Sequence, residues 1–287
     1  MLLSSLLLLL LAAILHASTN LLMKKSQDKL AFTWWMLGAF CVPALPVLFF
    51  LPKVPAIGWY IAIASGLLEA IYFFTLTRAY TSGDLSLVYP IARGSAQLFL
   101  LLWAVLFLKE RPSSIGITGI AAIIAGLYLI NLPSIDAWSR PLHAFRTAAS
   151  RWALLTGILI SSYTAIDKIG VRYFHPFVYI FLILFVCWIC VSIQWLMPDR
   201  RAPLIQEPKN GRLIWIIVAA IFGTAGYGLV LAALRISPVS YVGPIREVSV
   251  VMGTWIGIQF LGEPGGKLRI FASILVVIGI GLITMFG

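Results

Sequence analysis

Charge is what this sequence has least of. Only 11% of its 287 residues are Asp, Glu, Lys or Arg, while 61% are apolar and mean hydropathy is +1.00. A water-soluble chain of this length needs far more polar surface, so the solvent for most of this one is lipid. Cysteine is scarce too. Cys41, Cys187 and Cys190 all lie inside apolar runs, which argues against a disulfide framework. The C-x-x-C spacing of Cys187 and Cys190 lacks the basic neighbours that activate a thiolate, so both read as packing residues. There is no GxxxxGK[ST] for a nucleotide-driven pump, no His/Glu metal cluster, no paired-aspartate motif and no GxSxG. No metal or cofactor is expected, and an enzyme is not the first reading. The alternating segments of about ten residues that mark a membrane β-barrel are also missing, because the apolar runs are continuous and about twice that long.

Bundled helices are therefore expected, since each satisfies its own backbone in lipid. Crossing the hydrocarbon takes ~20 apolar residues. Ten segments qualify: 3–23, 31–51, 57–78, 85–108, 114–132, 152–170, 177–197, 213–234, 239–261 and 268–286. The first has no basic n-region and runs on to Met23, so it reads as a span and not as a secretory leader. The connections at 133–151 and 198–212 are polar, basic and proline-containing, and read as loops. The net charge of +11 comes mostly from Lys and Arg between apolar runs. Loops against anionic lipid headgroups account for that distribution, and nucleic acid is not expected as a partner.

The sequence repeats itself. Ala79 to Ile91 aligns with Ala233 to Ile245, superposing Pro90 on Pro244. Phe107-Leu-Lys-Glu110-Arg-Pro112 aligns with Phe260-Leu-Gly-Glu263-Pro264 after a one-residue gap, and Ile124 to Ile130 aligns with Val277 to Ile283 around Gly126 and Gly279. More weakly, Ile14-Leu15 and Lys24 fall against Ile158-Leu159 and Lys168. The expected organisation is residues 1–138, a basic linker at 139–151, and residues 152–287. Each half holds five spans, an odd number, so the second half enters the membrane from the other side. The expected fold class is an all-α polytopic membrane protein, with ten transmembrane helices as two inverted five-helix repeats. That arrangement places a site between the halves and permits alternating access.

A Pro early in the fourth span, a Glu-Arg-Pro or Glu-Pro step after it and a glycine-containing fifth span, all repeated once, resemble the EamA type of the drug/metabolite transporter superfamily. The resemblance covers essentially the whole chain and is strongest at 79–130 and 233–283. It implies ten helices around a cavity, movement of small organic solutes and often export; more narrowly the chain resembles the YddG-like amino-acid exporters. It also implies termini inside the cell. The loops after odd-numbered spans carry about twice the Lys and Arg of the others, which by the positive-inside rule puts the termini outside. The two indications disagree, and orientation stays open.

Four charges fall well inside predicted spans: Glu69, Arg93, Arg246 and Glu247. Each costs ~2.5–3.5 kcal/mol at a helix centre, so they are expected to face the bundle interior, and two of each sign permit two pairs. The repeat superposes Arg93 on Glu247, which predicts that these two meet between the halves. They either lock helices or contact solute. Tyr89, Arg93 and Gln97 recur every four residues on one face, and a guanidinium fork suits a carboxylate or phosphate. Glu69, Tyr72 and Phe73 form a comparable stripe for an ammonium group or a coupling proton. His16 and Asn20 share a face of the first span, and His16 is a second candidate proton carrier. On its counterpart, Ser161, Ser162 and Tyr163 add polar groups. Tyr227, flanked by Gly223, Gly226 and Gly228, matches Phe73 and completes the candidate set; ordinary packing is the competing explanation for the aromatic members. Trp34 and Trp35 read as interfacial anchors, Gly253-Thr-Trp-Ile-Gly257 as a packing motif, and Glu110 and Glu263 as turn residues.

The expectation is a secondary transporter for a small organic metabolite, with an amino acid as first guess, in the inner membrane of a bacterial cell. Its partners would be the solute, membrane lipid and, as a candidate coupling ion, protons; a monomer is compatible with this. A drug or nucleotide-like solute, including a sugar phosphate, is the alternative, and an intramembrane enzyme the third reading.

Overall fold

The computed structural model describes residues 3–24, 26–82, 85–130, 132, 147–209, 211–252 and 267–286. The side chains of Lys24, Leu85, Ser86, Leu87, Tyr89 and Pro90 lie outside that description. The elements are α1 (Leu3–Lys24), α2 (Lys29–Ala44), α3 (Ala56–Ser82), α4 (Leu85–Leu106), α5 (Ser114–Ile130), α6 (Ala148–Gly170), α7 (Pro176–Val191), α8 (Pro198–Gln206), α9 (Arg212–Ile236), α10 (Val239–Arg246) and α11 (Lys267–Phe286). Among the described residues, six helices are long and apolar enough to cross a membrane, and Ile91–Leu106 and Ser114–Ile130 are shorter apolar helices. Leu7, Leu11, Ile221, Ile274, Val277 and Phe286 lie on the outside of the bundle. That is where lipid, and not water, is the favourable neighbour.

Several predicted spans differ in detail. Those at 31–51 and 177–197 both end in a 3-10 turn, at Leu45–Phe50 and Ser192–Leu196. In the first, Pro43 and Pro46 have no N–H to continue an α-helical ladder. The sixth helix begins at Ala148, inside the expected linker, because Thr147 caps it by accepting from Ser150 N–H at 3.3 Å. Most of the linker, and the packing motif at Gly253 to Gly257, lie outside the described residues. The segment 198–212, expected as a loop, contains the helix α8. Pro198 suits its first turn, and Arg200 is held by Asp28 of the α1–α2 connection through two bonds of 2.8 and 2.7 Å. Glu207, just past α8, accepts from the Gln27 and Asp28 N–H groups at 3.3 and 3.0 Å. Trp35 donates to Leu204 O at 2.7 Å and Trp34 to Ser192 Oγ at 2.8 Å, so both tryptophans, expected as interfacial anchors, bind protein.

The most extensive helix contacts are α5 with α11, α3 with α6, α1 with α9, and α4 with α6. Further contacts join α3 to α7, α9 to α2, and α2 to α7. Backbone approaches backbone where α5 crosses α11. A methyl group on Gly119 would meet Gly279 O at 2.7 Å, and one on Gly279 would meet Gly119 O at 2.5 Å. Gly281, two residues further on, has open space around it.

Two outcomes follow. Gly279→Val overpacks the α5–α11 crossing at a cost of ~1–3 kcal/mol and lowers the melting temperature in detergent, while Gly281→Val leaves it unchanged. Equal effects would refute the close crossing. At the α8 bracket, burial works against the Asp28 carboxylate, but the bonds and charge of Arg200 and the Ala31 N–H outweigh it and hold the carboxyl below its ordinary value. A carboxyl depressed on folding stabilises above its unfolded pKa, and that contribution is lost as pH falls through the folded one. The melting-temperature difference between wild type and Asp28→Asn should be constant above pH ~5 and shrink below about pH 4. A difference unchanged in acid would contradict the bracket.

Candidate functional site

The polar centre forms where α10 stops. Pro244 cannot donate to the carbonyl one turn earlier, so the ladder fails there. Helix α10 ends at Arg246, Glu247 N–H turns back to Pro244 O at 3.1 Å, and helix resumes at 248–252. The predicted continuous ninth span is thus interrupted, and the interruption carries two of the four interior charges. Glu247 is wholly buried and Arg246 is 5% exposed.

Helix α4 supplies the partners. Its approach is close because position 243 is glycine: a methyl group there would meet Leu100 Cδ2, and Gln97 Oε1 at 2.9 Å. Arg93 Nη1 donates to Glu247 Oε1 at 3.1 Å, the pairing the repeat alignment anticipates. One turn along α4, Gln97 Nε2 donates to the same oxygen at 3.2 Å, and Arg246 Nη2 stands 3.8 Å from it. Glu247 Oε2 is buried without a hydrogen-bond partner among the described residues.

A second polar group centres on a residue that was not singled out from the sequence. Asp167 of α6 is completely buried. It accepts from Ser65 Oγ of α3 at 2.5 Å, from Tyr179 OH of α7 at 2.9 Å, and from Tyr227 OH of α9. Four helices meet at this carboxylate. Of its three donors only Tyr227 was a candidate from the sequence, and pairing it with Asp167 needs the tertiary arrangement. Its presence also changes the charge count: among the described residues the interior holds three carboxylates and two guanidinium groups, not two of each.

Between the two polar groups runs a row of aromatic rings. Tyr72 lies 5.0 Å from Phe73 and 5.9 Å from Tyr163, which lies 6.4 Å from Tyr227, the last two contacts edge-to-face. Glu69 sits beside this row, 8% exposed, with Oε2 lacking a partner among the described residues. His16 of α1 faces Gly226 of α9, where a methyl group would meet its Nδ1 at 2.8 Å, and that nitrogen has no partner either. Of the glycines beside Tyr227, Gly226 is the one that makes this approach; Gly223 and Gly228 have only ordinary contacts. Asn20, placed on the His16 face by sequence, is exposed and does not join the buried group. The side chain of Tyr89 lies outside the described residues. Ser161 belongs to packing, accepting from Trp103 Nε1 at 2.9 Å.

Glu110, read as a turn residue, does more. Its carboxylate accepts from Val239 N–H at 2.8 Å, Ser240 N–H at 3.0 Å and Ser240 Oγ at 2.6 Å. It therefore caps the N-terminus of α10 from the other half, as an anion does favourably. Lys168 Nζ completes the α9–α10 bracket by donating to Leu234 O and Ser237 O at 2.6 and 2.8 Å.

A bundle of long apolar helices around buried charge is an integral, multi-pass membrane protein. The chain belongs to the EamA-like transporter family, whose profile matches it twice, over residues 3–132 and 148–285. Membership makes it a small-molecule transporter. No curated protein sequence matches the chain. A solved structure described as "Crystal structure of protein" has a TM-score of 0.72 over 98% of this chain and 96% of its own, at 15% identity, a likeness of fold alone.

Removing one partner of a buried pair costs ~3–5 kcal/mol. Arg93 is 21% exposed and Arg246 stands close by, so Arg93→Met should fall at the low end. Glu247→Met, which strands two guanidinium groups, should cost more. Thermal melts should rank them so, and the exchange Arg93→Glu with Glu247→Arg should recover part of the loss. A double variant no better than the worse single one would refute the pairing.

Proposed function

We propose that the chain is a secondary exporter of amino acids, working by alternating access between two inverted five-helix units, 1–138 and 152–287, in the inner membrane of a bacterial cell. The contacts at helix ends support the inverted arrangement. Glu110 and Ser113 precede α5, and they bind the start of α10 and Phe286 at the end of α11. On the other side, Gln27 and Asp28 follow α1 and bind the region of α8, which follows α7. With ten crossings, loops of one parity meet only each other. The contact pattern also survives exchange of the halves: α1 on α9 answers α6 on α3, and α3 on α7 answers α9 on α2.

The observation that carries the substrate reading is the buried grouping of Arg246, Glu247 and Glu69 along the row Tyr72, Tyr163 and Tyr227. A zwitterion with an apolar or aromatic side chain suits it. The guanidinium groups of Arg246 and Arg93 would take the carboxylate, Glu69 the ammonium, and the rings the side chain. Uneven charge favours one alternative, an exporter of organic cations, because three carboxylates face two arginines. The same excess speaks against nucleotide-like solutes and sugar phosphates.

Proteoliposomes loaded with L-phenylalanine and given the labelled amino acid outside should show counterflow without ATP. Phenethylamine, which lacks the carboxylate, should compete weakly, and 3-phenylpropionate, which lacks the ammonium, should not compete. Transport of phenethylamine but not of any amino acid would replace this reading with the cation exporter. Exchange of phosphorylated solutes instead would overturn both.

A further inference from the structure

Among the described residues, five formally charged side chains gather where α3, α4, α6 and α10 converge, four of them buried and Arg93 21% exposed, and their charges do not cancel. Glu247 takes the Arg93 bond and the neighbourhood of Arg246. Asp167 is supported as an anion by three hydroxyl donors from three other helices. Those two carboxylates balance the two guanidinium groups. Glu69 is left over.

Its position follows from the antiparallel pairing of α3 and α6. Ser65 meets Asp167, Tyr72 meets Tyr163, and Thr156 Oγ1 donates to Thr75 Oγ1 at 3.1 Å. Glu69 lies one turn from Ser65 on the same face of α3, so it sits opposite the stretch of α6 between Tyr163 and Asp167. The groups in electrostatic range are Tyr163 and Asp167 from α6, Tyr179 and Cys187 from α7, and Tyr227 from α9. Cys41 from α2, Arg246 from α10 and Tyr72 on its own helix complete them. The one cation among them, Arg246, is already beside Glu247. Glu69 is 8% exposed and its Oε2 has no hydrogen-bond partner among the described residues. An uncompensated carboxylate in such surroundings is strongly unfavourable, so this one holds either a proton or a cation.

We propose that a proton and the ammonium group of the solute are mutually exclusive occupants of the Glu69 carboxylate, so that the protein exchanges solute for proton. This rests on the amino-acid reading above and deepens it. The step balances: the protonated acid gives its proton to water as the ammonium arrives, leaving a carboxylate–ammonium pair. On the far side the ammonium leaves and a proton from water replaces it. At every stage the buried group stays neutral apart from the solute's own carboxylate, which Arg246 and Arg93 attract. Exchange thus follows from the cost of leaving Glu69 bare, since a unit with neither occupant is the one least able to change conformation. Asp167 is a positioning residue here: it holds Tyr227 and supplies the negative charge on α6 that Glu69 faces.

The test is proton release on binding. Purified full-length protein in weakly buffered detergent, with a pH indicator dye, is titrated with L-phenylalanine and with phenethylamine between roughly pH 5 and 9. The expected result is close to one proton released per ligand bound at the acid end, falling toward none as Glu69 ionises beforehand. Glu69→Gln should release none and bind at least tenfold more weakly. Asp167→Asn should move the fall-off to lower pH, which a merely structural role would not do. Should Glu69→Gln fail to fold, the wild-type stoichiometry and the Asp167→Asn shift carry the test. Wild-type protein that binds and transports phenylalanine without proton release overturns the exchange and leaves the transporter reading standing. Unchanged release in a folded Glu69→Gln moves the site elsewhere and overturns it equally. Absence of any binding or flux of amino acid or amine sinks the substrate reading itself, and the exchange with it.

Discussion

A charge inside a membrane protein must find its counter-charge, and the pair Arg93 and Glu247 is where this fold meets that constraint. The two residues come from corresponding positions of the two sequence repeats, and they bond at 3.1 Å with Glu247 wholly buried. Because one partner stands on α4 and the other at the break of α10, the pair ties the halves together, with Glu247 wholly buried and Arg93 21% exposed. Several other features serve the same end. Gly243 lets α4 approach closely enough for Gln97 to share the Glu247 oxygen. Pro244 interrupts the helix so that Arg246 and Glu247 stand at a discontinuity, where irregular backbone is tolerated in a membrane if protein surrounds it.

Outside that centre, several charges fasten helix ends. Glu110 and Lys168 bracket the α9–α10 connection on one face, while Asp28, Arg200 and Glu207 fasten α8 to the α1–α2 connection on the other. Glu110 and the Asp28 group join one half to the other, while Lys168 ties α6 to the α9–α10 connection within the second half. A bundle whose lateral contacts are mostly apolar in an apolar solvent has little hydrophobic drive to associate. Close glycine crossings such as Gly119 on Gly279 and these polar brackets supply what lipid cannot.

The all-helical, membrane-spanning character and the two family repeats were legible in the sequence because their signals are long. Runs of twenty apolar residues, and Pro90, Glu110 and Gly126 recurring as Pro244, Glu263 and Gly279, survive any uncertainty about individual side chains. The Arg93–Glu247 contact was legible for the same reason, since the repeat alignment superposes the two positions. What escaped were short-range decisions. Proline turned the ends of α2 and α10 away from regular helix, and α8 formed in a stretch too polar to read as a span. Asp167 escaped because it lies at the edge of an apolar run beside Lys168, where a loop-facing pair is the natural reading. Its burial depends on Ser65, Tyr179 and Tyr227 arriving from three distant segments. Asn20 erred the other way, sharing a face with His16 by spacing yet lying exposed in the bundle.

The account depends on the two halves crossing the membrane in opposite senses, and side-specific labelling measures this directly. Single cysteines at Ser26, Gln206, Ser113 and Arg235 are probed in sealed vesicles with a membrane-impermeant maleimide, added outside or trapped inside. Positions 26 and 206 should react from one side only, and 113 and 235 from the opposite side only. Labelling of 26 and 113 from the same side would contradict the inverted arrangement and the shared site built on it.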